Sequence, residues 1–268
     1  MTQSGLGPGE HRFGDVSVVL EPSGVATVEI QRPPANFFDV ELIGALADAC
    51  EALGQGDCRA IVLCAQGRHF CAGADFSGGR TGAAGDAPFT IATLYEQAAR
   101  LFRAPVPIVA AVHGAAIGGG LGLACAADFR VLGPRARLSA NFARLGFHQG
   151  FALTLTLPAI VGRQRALDLL YTGRRVDGEE ALRIGLADRL VPDEDVRVAA
   201  HELAGQLARS APLAVRSIRA TMREPLLEQL TAALARESSE QERLRVTVDF
   251  REGVRASAER REPIFEGR

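Results

Sequence analysis

The chain has 268 residues, 47% hydrophobic and 23% charged, with 30 Lys and Arg against 32 Asp and Glu for a formal net charge of −2. That length can bury a sizeable core, as one large domain or two small ones. The near-neutral balance excludes a non-specific nucleic-acid binder, which needs a basic surface, and no apolar run reaches the ~18 residues of a membrane-spanning helix.

The first nine residues, Met-Thr-Gln-Ser-Gly-Leu-Gly-Pro-Gly, have neither an apolar core nor a basic start. They predict a loose tail over residues 1–14 rather than a signal peptide, and a cytoplasmic protein. Two strand-like runs, 16–20 and 25–31, flank Pro-Ser-Gly and predict a hairpin. Residues 40–53 predict a helix, with Ile43, Leu46, Ala47 and Cys50 at three-to-four spacing. A short buried-strand pattern, 60–64, follows. A Gly/Arg/Ala-rich stretch, 77–87, reads as a loop able to cover a ligand. Residues 89–102 are helical in pattern, and Asp177 with Glu180 opens another helix at 178–184 that Gly185 can end. Strands alternating with helices predict an α/β layered fold. Beyond Asp193 helical patterns dominate: 196–207, 214–222, 225–246 and 249–261. These place a core over 15–200 and a helical region over 201–268.

The five cysteines (Cys50, Cys58, Cys64, Cys71 and Cys125) are scattered, mostly in apolar segments, and none makes C-x-x-C spacing. Reduced, buried thiols are the expectation, with neither a metal site nor a disulfide framework.

The most informative segment is Gly114-Ala-Ala-Ile-Gly118-Gly119-Gly120-Leu-Gly122, which follows the apolar run 107–112. It predicts a strand, a tight turn and a helix start. Glycine lets a ligand approach the backbone, and the first N–H groups of a helix point outward without partners, which suits negative charge. A phosphate loop needs Lys then Ser or Thr after the last glycine; Leu121 and Gly122 stand there. The dinucleotide fingerprint fails as well, because its third glycine would be Leu123. A second small-residue turn, Gly67-Arg-His-Phe-Cys-Ala-Gly73-Ala74-Asp75-Phe76, follows the strand at 60–64. Two such turns can each offer one backbone N–H to a single oxygen, the minimum oxyanion hole. The alternative is that the glycines serve only close helix–strand packing.

Together with Arg32-Pro-Pro-Ala-Asn36 and the tail from Asp249 to Phe265, these motifs resemble the crotonase superfamily, the enoyl-CoA hydratases and isomerases, over nearly the whole chain. The resemblance implies a spiral of β-β-α repeats with a C-terminal helical oligomerisation region, hence a homotrimer or a dimer of trimers. It implies an acyl-CoA substrate, with coenzyme A part of that substrate and no separate cofactor. It places the N–H groups of Ala74 and Gly119 on the thioester oxygen. It puts Ala35, Ala72, Asp75 and Phe76 along the coenzyme A, and Arg260, or Arg261 beside it, near its phosphates.

The same resemblance assigns acid/base carboxylates to three positions that hold Gly122, Phe142 and Gly150 in this chain. Water addition needs a positioned proton donor and acceptor, which these residues do not supply. His148 and Gln149, in the loop expected to line the acyl pocket, are the substitutes: the imidazole as acid or base, the amide as an orienting group. Phe142, Phe147 and Phe151 predict a dry pocket. The resulting expectation is an acyl-CoA enzyme of the lyase or isomerase type that stabilises an enolate. The alternative is a non-catalytic acyl-CoA-binding protein on the same scaffold.

Overall fold

The computed structural model describes residues 5–74 and 91–268; the loop expected over 77–87 lies outside them. Strands β1 (Gly9–Phe13), β2 (Val16–Leu20) and β3 (Val25–Ile30) form an antiparallel meander. Residues 9–13 thus form an edge strand where the sequence predicts a loose tail. The chain reverses in two residues between Phe13 and Val16, with Gly14 at φ 53°, and pairing with β2 orders a segment that has no apolar run of its own.

From β3 the sheet continues in parallel through β4 (Ala60–Ala65), β5 (Ile108–Val112), β7 (Phe129–Leu132) and β9 (Arg189–Leu190). The strands β6 (Ala115–Ile117) and β8 (Arg137–Ser139) leave this sheet and pair with each other, also in parallel. Each follows a main-sheet strand and precedes a helix, which gives the β-β-α repeat: β5, β6, then α3 (Gly119–Ala126); β7, β8, then, after a short 3-10 turn, α4 (Leu153–Val161).

Both faces of the sheet are covered, which is why β4 and β5 read as unbroken apolar runs rather than alternating ones. Ile61, Leu63, Ile108 and Ala110 join the main core with α1 (Val40–Gly54) and α2 (Ile91–Phe102). Val62, Cys64, Val109 and Ala111 face the other way, onto α7 (Val196–Ala208). Helix α1 starts at Asp39, whose side chain accepts the Leu42 N–H at 2.9 Å, as an N-cap should.

Between the cores and the C-terminus lie α5 (Arg163–Thr172) and α6 (Gly178–Arg183), the latter capped by Asp177. Helix α8 runs unbroken over 34 residues, Pro212–Arg245, and α9 covers Val248–Glu259. The sequence pattern gives separate helical stretches over 214–222 and 225–246, but α8 joins them and passes through Pro225. Arg216 on this helix donates to the carbonyls of Gly54 and Cys58 at 3.0 Å each, and Arg219 and Arg223 both pair with Asp128. Tertiary anchoring of this kind overrides the bond that proline forfeits.

Candidate active site

Two turns converge at the C-terminal ends of β4 and β6. Cys71 donates its N–H to Ala115 at 3.0 Å, and Ile117 donates back to Cys71 at 3.0 Å. Gly118 donates to Ser139 at 2.8 Å, and Phe38 to Gly73 at 3.1 Å. Gly118 sits at φ 56°, ψ −120°, a conformation only glycine adopts freely. A Cβ on Gly73 would stand 2.8 Å from the Ile117 carbonyl oxygen, and one on Gly120 would fall on that of Cys71. The glycines therefore let the two turns lock together.

What remains free are the N–H groups of Ala74 and Gly119. Neither donates to an acceptor among the described residues, and both residues line one cavity of about 1340 Å³. Gly119 is the first residue of α3, so its N–H lies at the partially positive end of the helix.

Ala72, Phe142 and Arg260 also line this cavity. Ala35 does not; its carbonyl accepts the Ala72 N–H at 2.9 Å and so supports the first turn from behind. Asp75 and Phe76 lie outside the described residues. His148 and Gln149 are absent from the cavity wall, where the sequence expects them. The imidazole Nδ1 lies 2.7 Å from the Gln149 carbonyl, the His148 carbonyl accepts from Gln241 Nε2 at 2.9 Å, and Gln149 donates to Thr154. These local bonds hold both side chains away from the space that Phe147, Gly150 and Phe151 border.

The three positions expected to carry acids are each explained by a neighbour. A Cβ on Gly122 would stand 2.5 Å from that of Phe151. Phe151 is 1% exposed and at φ 59°, and its ring packs on Phe38 with centroids 5.6 Å apart. Phe142 is 8% exposed, and its ring reaches towards Gly118. A Cβ on Gly150 would fall on the hydroxyl oxygen of Tyr95. Tyr95, on α2, lines the cavity and donates to Gln241 Oε1 at 2.8 Å. Burial, reinforced by the nearby charge of Glu237, pushes its phenol above the usual range.

Sequence reasoning misses Tyr95 and Gln241. Tyr95 sits beside Leu94 on a helix face that reads as core, and Gln241 lies in a helix that reads as charged surface. The glycine at 150, far from Tyr95 in sequence, is the one hint of the vacancy that the phenol fills.

Cys71, in the first turn, is fully buried and its thiol is pushed up to about 12 by desolvation, so it is not a thiolate nucleophile. At the far end of the cavity Arg261 is tied to Glu252 at 2.5 Å and to Glu259 at 2.6 Å. Arg260 has no carboxylate partner among the described residues, which leaves its guanidinium the free one of the two.

The enoyl-CoA hydratase/isomerase family profile matches residues 21–268. The chain is 33% identical over 247 residues to a Bacillus subtilis protein described as an enoyl-CoA hydratase/isomerase, spanning 91% of this chain and 95% of that protein. It is likewise 33% identical to the carnitinyl-CoA dehydratase of Salmonella heidelberg, with the same coverage of each. The crystal structure of the enoyl-CoA hydratase/isomerase from Pseudoalteromonas atlantica superposes with a TM-score of 0.84 at 31% identity, over 94% of this chain and all of that one. The chain therefore belongs to the enoyl-CoA hydratase/isomerase, or crotonase, family.

Proposed function

We propose that the protein binds an acyl-CoA thioester with its carbonyl oxygen between the N–H groups of Ala74 and Gly119 and stabilises the enolate formed there. The observation that carries this reading is the pair of N–H groups without an acceptor among the described residues, on one cavity wall fixed by interlocked glycine turns. Preorganised donors of this kind hold developing negative charge without reorganising. The free guanidinium of Arg260 is the group we assign to the phosphates of coenzyme A.

In the same reading the site lacks the carboxylate pair that hydration uses, because Gly122, Phe142 and Gly150 stand at those positions. It is thus an enolate-stabilising site of altered acid/base equipment. Isotope-edited infrared spectroscopy of a ¹³C=O-labelled acyl-CoA tests the central contact without needing turnover. Binding is expected to lower the thioester carbonyl stretch, and Ala74→Pro, which removes one donor, to reverse most of that shift and cut any turnover by about 10²–10³-fold. A bound thioester whose carbonyl stretch matches that in water sinks the reading. A shifted stretch with no turnover on any acyl-CoA supports the non-catalytic binder instead.

A further inference from the structure

We propose that Phe151 sets the width of the acyl pocket beside Gly119, and that Glu237 on α8 is the positioning residue that holds it there against backbone strain. The preferred acyl group is then one unbranched at the carbon next to the thioester. This rests on the acyl-CoA reading above.

Two successive residues, Phe151 and Ala152, both have φ 59°. A left-handed backbone costs energy in any residue with a side chain, and such strain persists only where the surroundings impose it. Helix α8 imposes it. Glu237 and Gln241 stand four residues apart on this helix, hence on one face, and both are buried. Glu237 accepts the N–H groups of Ala152 at 2.8 Å and Thr154 at 3.0 Å, and the Thr154 hydroxyl at 2.5 Å. Gln241 donates to the His148 carbonyl at 2.9 Å and accepts the Tyr95 hydroxyl at 2.8 Å. The Tyr95 oxygen in turn takes the Phe151 N–H. The segment is thus strapped to α8 at His148, Phe151, Ala152 and Thr154, directly or through Tyr95.

The product of the strained corner is the seat of the Phe151 ring. Phe151 lines the cavity that Ala74 and Gly119 also line. Its ring packs on Phe38 and Phe102, with centroids 5.6 and 6.1 Å apart, and Phe38 fills the space beside the Cα of Gly119. Phe151 also closes the niche at Gly122, where an added Cβ would stand 2.5 Å from its own. Gly122 lies three residues after Gly119, on the same face of α3 and about 4.5 Å further along its axis. A thioester oxygen on the Gly119 N–H therefore sets the acyl α-carbon against the paired rings of Phe38 and Phe151. A straight chain runs past them into the cavity. A branch at the α-carbon needs the volume that the Phe151 ring fills. Relaxed to a right-handed backbone, the corner would turn this ring away from Gly122 and open the niche.

Calorimetric binding of butyryl-CoA and isobutyryl-CoA to the full chain tests this, since the two saturated thioesters differ only in the branch. Wild type is expected to bind butyryl-CoA more tightly by about 10-fold or more. Phe151→Gly keeps the left-handed corner without strain and removes the ring, so isobutyryl-CoA should gain affinity until the preference is lost. Glu237→Gln, which turns a donor towards the backbone donors, should weaken the preference in the same direction. Glu237→Asp, which keeps the charge but draws it back, should do so as well. Ala152→Gly relieves strain that Glu237 opposes, and added to Glu237→Gln it should restore the preference. A mere cap on α4 would give that double variant no reason to recover. Hydrogen exchange over residues 148–154 reads the strap without ligand: protection should fall in Glu237→Gln and return in the double variant. Equal binding of both thioesters by wild type, or a preference unmoved by Phe151→Gly, overturns the proposal. A preference unmoved by both Glu237 variants, or not recovered with Ala152→Gly, overturns the role of Glu237. Wild type that binds neither thioester overturns the acyl-CoA reading and the specificity with it, whereas exchange protection unmoved in Glu237→Gln overturns the strap alone.

Discussion

In the proposed reading Gly122 stands where the first acid/base carboxylate is expected, and placing one there is not simple. The space its side chain would enter belongs to Phe151, at 2.5 Å from an added Cβ and 3.0 Å from the Phe151 carbonyl oxygen. A packed interior yields little to an extra methyl. Gly122→Ala should therefore cost about 1–3 kcal/mol, read as a lower midpoint in urea unfolding. Gly122→Glu should cost more and create no hydratase. Phe151 holds a left-handed backbone at φ 59° that glycine adopts without strain. Phe151→Gly alone loses a buried aromatic ring, but combined with Gly122→Glu it removes the clash. The double variant should be more stable than the sum of the single costs allows, by a coupling of about 0.5–3 kcal/mol. Strict additivity in that cycle would mean that Phe151 does not close the niche. Wild type, in turn, should hydrate crotonyl-CoA poorly, with a rate below that of a carboxylate-bearing relative by about 10²-fold or more. Robust hydration in a spectrophotometric assay would refute that.

At the scale of elements, α8 caps α4 across the tertiary interface. Helix α4 begins after Ala152, which has no side chain to cap it. The buried Glu237 supplies the missing acceptors: it takes the N–H groups of Ala152 at 2.8 Å and Thr154 at 3.0 Å, and the Thr154 hydroxyl at 2.5 Å. A carboxylate also suits a helix N-terminus. Glu237→Gln replaces one acceptor by a donor facing a donor, and should cost about 1–3 kcal/mol. Burial nevertheless holds the Glu237 carboxyl above the usual carboxylate range. Its folded state binds a proton before the unfolded state does. The stability this linkage contributes is full below the ordinary value of ~4.3 and is lost as pH rises through the raised one. The gap between wild type and Glu237→Gln in urea unfolding should therefore widen as the pH is lowered through that window; a gap independent of pH would contradict the direction of the shift. The capped junction also separates what was legible in the sequence from what was not. The hairpin and α1 show in periodicity, because each presents a regular face to one core, and β4 shows as an unbroken apolar run because both its faces are covered. The two glycine turns show because glycine is obligatory there. Helix α4 does not show: Leu153-Thr-Leu-Thr-Leu alternates like a strand, carries Pro158, and draws its cap from 83 residues further along the chain. Tyr95 and Gln241 stay hidden for the same reason, since their roles arise from contacts between helices distant in sequence.

For the molecule as a whole, the outer face of α8 argues for assembly. Arg219 and Arg223 turn inward to Asp128 and fasten the helix to the core. Ile218 and Met222, one turn apart on the adjacent face, are 63% and 75% exposed. Leu213 near the start of the helix is more exposed still. Apolar side chains spaced i, i+4 form a stripe, and a stripe of this kind on a long helix is the mark of a surface meant to be covered. We propose that a second copy of the chain covers it, and that the protein is a homotrimer or a dimer of trimers. Light scattering at micromolar concentration should then give three or six times the chain mass of 28.4 kDa. Ile218→Glu with Met222→Glu places two carboxylates in the stripe, where burial against a partner would leave them unpaired. The double variant should sediment as a smaller species, while its circular dichroism stays that of the folded chain because neither residue belongs to the core. A wild-type mass of 28.4 kDa would refute the assembly. An oligomer unmoved by both substitutions would place its interface elsewhere than on α8.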